Sequence, residues 1–403
     1  MGGHDIVSAP LLTAAVRPHS SLSSRPLLLV NQTIGPLFAD LVVAAQRRHS
    51  VVVFRGLVYR RSPALVRLLT WTGYAFQLAG HLLVHGRRYQ RLLVVSNPPL
   101  APLLAPLARR PYALLLYDLY PQVLAQLQPR QPWLRYSLGL LVWLWQAANR
   151  AVFARAERVF TLSDAMAAEL RPAFATEALW RRTVRVIPPW ADTTLLCPDP
   201  VAGHTFRRQH KLDPARLLIT YSGNLGLTHP LEPLLEAVAR MPAGDPPPAQ
   251  LLLIGQGPRR AALQRLATAL ALPPSRLRFL DPLPYEELAA SLSAADLAVV
   301  ALDGPAAAAS LPSKTFSALA CGTPLLVLAP AGSALAELVQ RHGCGLVVEP
   351  GPAAAAQLAV AISALAADPA RLQAMAAMAH AASRAYTPAN AERLLDAWLA
   401  SQP

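Results

Sequence analysis

The stretch "YSGNLGLTHPLEPLLEAV", residues 221–238, carries the end of an aliphatic run through Gly223, Asn224, Leu225 and Gly226 into a segment with helical leucine spacing that begins near Pro230. A strand that passes straight into a helix through a glycine turn is the repeating unit of a parallel sheet with helices on both faces. In such sheets ligands sit outside the carboxyl ends of the strands, where helix N-termini and backbone N–H groups converge on anions. The turn is therefore read two ways at once: as a tight connection, and as a loop whose glycines let the backbone approach a phosphate.

The same unit repeats in both directions. Downstream, strand candidates fall at 249–257, 276–282, 296–302, 324–330 and 345–350; upstream of 216–224 they fall at 26–31, 50–54, 91–97, 112–118, 158–163 and 184–189. Each leads into a turn or a helix, so the chain is read as α/β, with two doubly wound Rossmann-like domains facing across a cleft. A proline-rich connection without clear periodicity, 188–204, separates the two sets. The expected division is a flexible extension at 1–25, a first domain at 26–190, a linker at 191–214, a second domain at 215–380, and a helix at 381–403 that could pack back on the first domain.

At 403 residues, with 53% apolar and 15% charged side chains, the chain can bury two ordinary cores. The net charge of +14 is lopsided. Residues 1–190 hold 22 arginines, no lysine and 7 acids, whereas residues 191–403 hold 15 basic and 16 acidic side chains. That asymmetry points to an anionic partner for the front half. Three cysteines, Cys197, Cys321 and Cys344, lack metal-ligand spacing and leave an odd number for disulfides, which suits a reducing compartment. No signal peptide is read at the start. Two apolar stretches, 64–89 and 136–149, are flanked by arginines; they suit either interfacial helices on anionic lipid or helices of the domain core. The second is shorter than the ~20 residues needed to span a bilayer.

Two further loops of the second half can meet an anion. In "LLLIGQGPRR" (251–260), Gly255 and Gly257 end a strand, and Arg259 and Arg260 sit in the first turn of the helix that follows. Cations there oppose the helix dipole, so either an anionic ligand offsets them or they are an exposed surface pair. In "LPSKTFSALACGTP" (311–324), Ser313 and Lys314 stand where a helix of small residues begins. Lys314 is one of only two lysines, the other being Lys211. A cation at a helix N-terminus wants an anion beside it, and lysine's compact charge suits a diphosphate oxygen.

Taken in order, "YSGNLGLTH", "LLLIGQGPRR", "LPSKTFSALACGTPLLVLAP" and "GCGLVVEPG" resemble the donor-binding domain of glycosyltransferase family 4, a GT-B family. In the front half "VVSNPPLAPLLA" (94–105), "LLYDLYPQVL" (115–124), "RAERVFTLSDAMAAEL" (155–170) and "RVIPPWADT" (185–193) resemble the branch that builds O-antigen, capsule and exopolysaccharide. The resemblance implies a retaining sugar transfer from a nucleotide-diphosphate-sugar, without other cofactor. It places Gly223, Asn224, Leu225, Gly226 and His229 beside the donor diphosphate, with Lys314 supplying charge and Ser313 and the backbone at Leu311 helping to cradle the group, and Ser317 at a donor-site position where relatives hold the sugar and ribose with a glutamate. Gly255 and Gly257 would lie near the nucleoside, with the base near Leu280 in "FLDPLP" (279–284). Gly35, in "NQTIGPLF", would face the diphosphate from the first domain, and Asp118 would stand by the reacting sugar. Catalysis is expected of Asp118 and Lys314. Three departures from the family pattern stand out: Asn224 and His229 where relatives carry basic residues, Ala309 and Ser317 in place of paired glutamates, and a single glycine in the first loop.

No D-x-D is present, so a metal-independent reaction is expected, with the diphosphate stabilised by N–H groups, a helix N-terminus and one ammonium. The implied acceptor is lipid-linked, a polyprenyl diphosphate sugar, or a saccharide, in cell-surface polysaccharide biosynthesis. The expected location is cytoplasmic, peripheral to the anionic inner face of the plasma membrane. The arginines are not interleaved with a recognition motif for nucleic acid, which is not expected as a partner. A sugar-nucleotide 2-epimerase and a non-catalytic degenerate transferase acting as a partner subunit stay open.

Overall fold

A computed structural model of the chain describes residues 25–58, 64–122, 132–226, 228–242, 248–302 and 311–400. Of the expected extension at 1–25 all but Arg25 lies outside them, as does Ala309. The first sheet contains β1 (Leu27–Val30), β2 (Val51–Phe54), β3 (Leu92–Val95), β4 (Tyr112–Leu115), β5 (Arg158–Thr161) and β6 (Val184–Val186), in the order β2-β1-β3-β4-β5-β6. The second contains β7 (Leu217–Ser222), β8 (Ala249–Ile254), β9 (Leu277–Leu280), β10 (Leu297–Ala301), β11 (Leu325–Leu328) and β12 (Gly345–Val348), in the order β12-β11-β10-β7-β8-β9. Every neighbouring pair is parallel.

These are the twelve aliphatic runs of the sequence. Covered by helices on both faces, such strands bury every side chain, as β1, β3, β4, β8, β10 and β11 do along their whole length. Each strand stops short of the run that announces it wherever a loop must leave the sheet: Gly223, Gly255 and Gly257 all have positive φ, which ends the extended backbone.

The chain returns to its first half at the end. Helix Ala389–Leu399 places Ala391, Leu394, Leu395 and Trp398 in the same core as β1, β3 and β4, and lies along helix Pro36–Gln46. Arg47 pairs with Glu392 at 3.0 Å and Arg48 with Asp396 across that contact. Both are surface pairs worth at most ~1 kcal/mol each, so burial of Trp398 and its neighbours is what fastens the helix.

The proline-rich connection is not structureless. Asp199 caps helix Pro200–Gln209 by accepting from the Ala202 N–H, and this helix packs on helix Leu288–Ala294 of the second half. The two approach so closely at Gly203 that a Cβ there would meet the Ser293 carbonyl oxygen at 2.6 Å.

Right-handed crossovers put helix Ala64–His85, the segment 101–108 and helix Pro132–Arg155 on one face of the first sheet, opposite helix Pro36–Gln46. No helix among the described residues is long and apolar enough to cross a membrane. Cys197 is exposed, Cys321 and Cys344 are buried, and all three are free thiols.

Candidate functional site

The loop after β7 is fixed against the loop after β8. Gly223 N–H donates to the Ile254 carbonyl at 2.9 Å, Leu225 N–H to the Gln256 carbonyl at 2.9 Å, and Arg259 N–H to the Leu225 carbonyl at 3.1 Å. A Cβ on Gly255 would fall 1.9 Å from the Gly223 oxygen, and one on Gly257 2.4 Å from the Leu225 oxygen. Gly255 and Gly257 are thus required by the contact between the two loops, whatever a nucleoside demands. Leu225 is core through its side chain, and its N–H and carbonyl are both engaged within the protein. Leu280 closes the same bracket, its carbonyl accepting from Gly255 N–H at 3.1 Å.

Arg259 and Arg260 are not an exposed pair, and they do not wait on a ligand. Arg259 is paired with Glu232, and Arg260 reaches the Gly255 carbonyl at 2.7 Å and Asp281 at 2.8 Å. Intramolecular acceptors offset their unfavourable place at a helix N-terminus.

Lys314 is held differently. It is the second residue of helix Ser313–Ala320, one turn beyond buried Leu311. Solvent reaches other parts of the residue, but its Nζ is buried and, among the described residues, has no hydrogen-bond partner. The ammonium lies 3.8 Å from the ring centroid of Tyr221, at the end of β7, and a Cβ on Gly223 would stand 3.2 Å from it. Burial pulls its pKa from an ordinary 10.5 to about 7. An aromatic face supplies part of the solvation the amine has lost, but no oxygen of the described residues accepts its protons.

His229 completes the pocket. Its Nδ1 is 2.7 Å from the Ala301 carbonyl, which makes that nitrogen the donor and leaves Nε2 as an acceptor. Burial, followed by the charge on Lys314, holds its pKa below the usual histidine value, which favours the neutral ring. Tyr221 donates its hydroxyl to the Asn224 carbonyl at 2.6 Å and fixes that corner of the loop. Among the described residues no three metal-ligating side chains converge anywhere.

Thus Gly223, Asn224, Gly226, His229 and Lys314 gather at one place, with Gly255, Gly257 and Leu280 bracing it from the adjoining loop. Ser313 is exposed at the mouth of the helix, with Ser317 one turn further along. Leu311 lines a cavity of about 80 Å³ shared by both halves, with Ser163 and Pro188 of the first and Glu337 and Arg341 of the second. Asp118 lies elsewhere, on a cavity of about 10 Å³ among Ser96, Tyr120 and Asn149 in the first half. Gly35 begins helix Pro36–Gln46 in extended backbone, and a Cβ there would meet open space. Tyr221 was not legible as a site residue, because a tyrosine near the end of an aliphatic strand reads as core.

Residues 204–383 match the family model for glycosyl transferases group 1. A putative colanic acid biosynthesis glycosyl transferase of Escherichia coli, WcaI, is 32% identical over 145 residues, which are 36% of this chain and 34% of that protein. A D-inositol 3-phosphate glycosyltransferase of Rhodococcus opacus is 31% identical over 202 residues, 49% of this chain and 43% of that protein. The matches thus span less than half the length of these relatives. Among solved structures, sucrose-phosphate synthase from Thermosynechococcus elongatus has a TM-score of 0.71 at 19% identity, covering 93% of this chain and 98% of that one. HepE of Anabaena in complex with UDP-glucose has a TM-score of 0.67 at 19% identity, covering 93% and 99%. At that identity the likeness concerns the fold, which is the two-domain GT-B arrangement.

Proposed function

We propose that the protein is a group 1 glycosyltransferase that moves a sugar from a nucleotide-diphosphate-sugar with retention of configuration and without a metal. The observation that carries this reading is the Lys314 ammonium, buried against Tyr221 and Gly223 with no acceptor among the described residues. A diphosphate oxygen entering the pocket would give that ammonium its missing partner. As the bond from the anomeric carbon to the diphosphate breaks, negative charge grows on the leaving group. Lys314 and the N-terminus of its helix are already in place to meet it, so little reorganisation is needed at the moment of reaction. Neutral His229 offers Nε2 as an acceptor for a hydroxyl without adding a second charge beside the first.

The acceptor in this reading is a polyprenyl-linked sugar at the inner face of the plasma membrane, in cell-surface polysaccharide assembly. The arginine excess of the first half and its resemblance to polysaccharide transferases support it. Asp118 and Gly35 would act from the first half once the lobes close on both substrates, excluding water from the donor. A panel of nucleotide sugars, offered with and without prenyl-linked acceptor, tests the reading. Acceptor-dependent transfer, unaffected by EDTA and giving the donor's own anomer, is expected. A modified nucleotide sugar released with no acceptor would mark an epimerase instead, and no nucleotide binding would leave a partner subunit.

A further inference from the structure

The first half carries a second feature that the donor site does not use. Between Asp40 and Glu157 the sequence contains fifteen arginines and one acid, Asp118. That interval supplies helix Ala64–His85 and helix Pro132–Arg155, which flank and pack on the segment 101–108 along one face of the sheet. Both turn large apolar side chains outward. On the first, Leu69, Phe76 and Leu83 form a stripe at helical spacing, with Phe76 80% exposed. On the second, Tyr136, Leu140 and Trp143 do the same, at 81%, 59% and 60% exposure. Exposed Arg87 and Arg88 close the end of one stripe and Arg150 the end of the other. Among the described residues no carboxylate pairs with these three.

We infer that this two-helix face is a docking surface for an anionic phospholipid bilayer, with the apolar stripes sunk into the headgroup boundary and the arginines on lipid phosphates. The inference deepens the acceptor part of the proposed function and is independent of the donor pocket. Two features select the occupant. A second copy of the chain would set arginine against arginine with no acid to relieve them. A nucleic acid would satisfy the arginines but leave Phe76, Trp143 and the leucines uncovered, whereas a bilayer interface takes both. Neither helix need cross the membrane, and neither is apolar enough to do so.

The face is also wired to the first half's side of the cleft. Gln32, in the loop after β1, donates through Nε2 to the Leu57 carbonyl at 3.0 Å and to the Thr70 carbonyl, within the docking helix, at 3.1 Å. A bilayer held on this face would therefore lie at a fixed distance from the loop that carries Gly35.

Flotation of the full-length protein with vesicles tests this directly. One set contains equal parts of phosphatidylglycerol and phosphatidylcholine, the other phosphatidylcholine alone. Wild type is expected to float with the anionic set at least about tenfold more than with the neutral one. Phe76→Ser/Trp143→Ser and, separately, Arg87→Ser/Arg88→Ser should each lower that partition by about tenfold. Calorimetry with UDP and GDP on the same preparations keeps the outcomes apart. Unchanged nucleotide binding with lost flotation supports the surface, and wild type that floats without binding any nucleotide supports it while removing the transferase reading. The inference is overturned if wild type ignores the anionic vesicles, if the variants float as wild type does, or if the variants only dissolve a dimer or abolish binding to RNA.

Discussion

Among the described residues of the second half, the Arg207 guanidinium and the Lys314 ammonium are both withdrawn from solvent, and the protein treats them in opposite ways. Arg207 spends its guanidinium on the Ala294 carbonyl at 2.8 Å, the carbonyls of Pro214 and Arg216 at 3.3 Å each, and Asp296 at 2.7 Å. Lys314 has a tyrosine face and, among the described residues, no acceptor. The first arrangement is complete, holding helix Pro200–Gln209 to the base of the sheet. The second is incomplete, and keeping a charge dry without a partner costs the folded state free energy that an anionic ligand, or loss of the proton, can return. The contrast separates a cation whose partners the fold supplies from one whose partners, among the described residues, it does not, and it does so more sharply than burial or charge does alone.

Removing each cation should therefore affect stability differently, at a large cost for Arg207 and at none for Lys314. Arg207→Met strands Asp296, whose Oδ2 then keeps only the Leu218 N–H, and is expected to cost about 3–5 kcal/mol in denaturant unfolding. Lys314→Met replaces a desolvated amine with a side chain of similar length, and should be neutral or stabilising by about 1–4 kcal/mol in the same measurement. The same variant should weaken nucleotide-diphosphate binding by about 100-fold, read by calorimetry. If Lys314→Met unfolds the protein as Arg207→Met does, the two cations are alike and the contrast fails.

The second way to sharpen the contrast is pH. The folded-state pKa of Lys314 is lowered from 10.5 to about 7, so above pH 7 the unfolded chain binds the extra proton and the folded one does not. Stability should accordingly rise with pH across that window, and this rise should vanish in Lys314→Met. A bound diphosphate favours the ammonium, so binding a nucleotide sugar above pH 7 must draw a proton from solution. Affinity is then expected to fall by up to about tenfold per pH unit above neutrality, with proton uptake visible as a buffer-dependent heat. A flat profile from about pH 6 to about pH 9 would mean that the ammonium never meets the diphosphate.

The fold was legible because parallel strands covered on both faces must be aliphatic throughout, and all twelve runs became strands. Lys314 was legible as a chemical exception, a lysine among arginines at a helix start. What the sequence hid was pairing at a distance. Arg259 and Arg260 look like surface charges until the fold brings Glu232 and Asp281 to them. Gly255 and Gly257 read as ligand glycines, yet the Gly223 and Leu225 backbone already demands them. The helix within the linker did carry a signal, an aspartate cap before a proline at the first helical position, but the surrounding prolines masked it.

The finest test concerns the neighbour of the unpartnered charge. His229 titrates below its ordinary value for three reasons, burial first, the Lys314 charge second and the Arg259 charge third. Lys314→Met removes only the second, because the ring stays in its pocket on the Ala301 carbonyl. Histidine resonances followed by NMR should therefore show the His229 pKa moving upward in the variant while remaining under the ordinary value. The shift should be smaller still at high salt if the pocket is open to ions, and unchanged by salt if Tyr221 and the loop seal it. An unmoved His229 would mean that Lys314 is already neutral when the site is empty. The ammonium would then form only as the diphosphate arrives, and the charge that meets the leaving group would come from solvent with the donor.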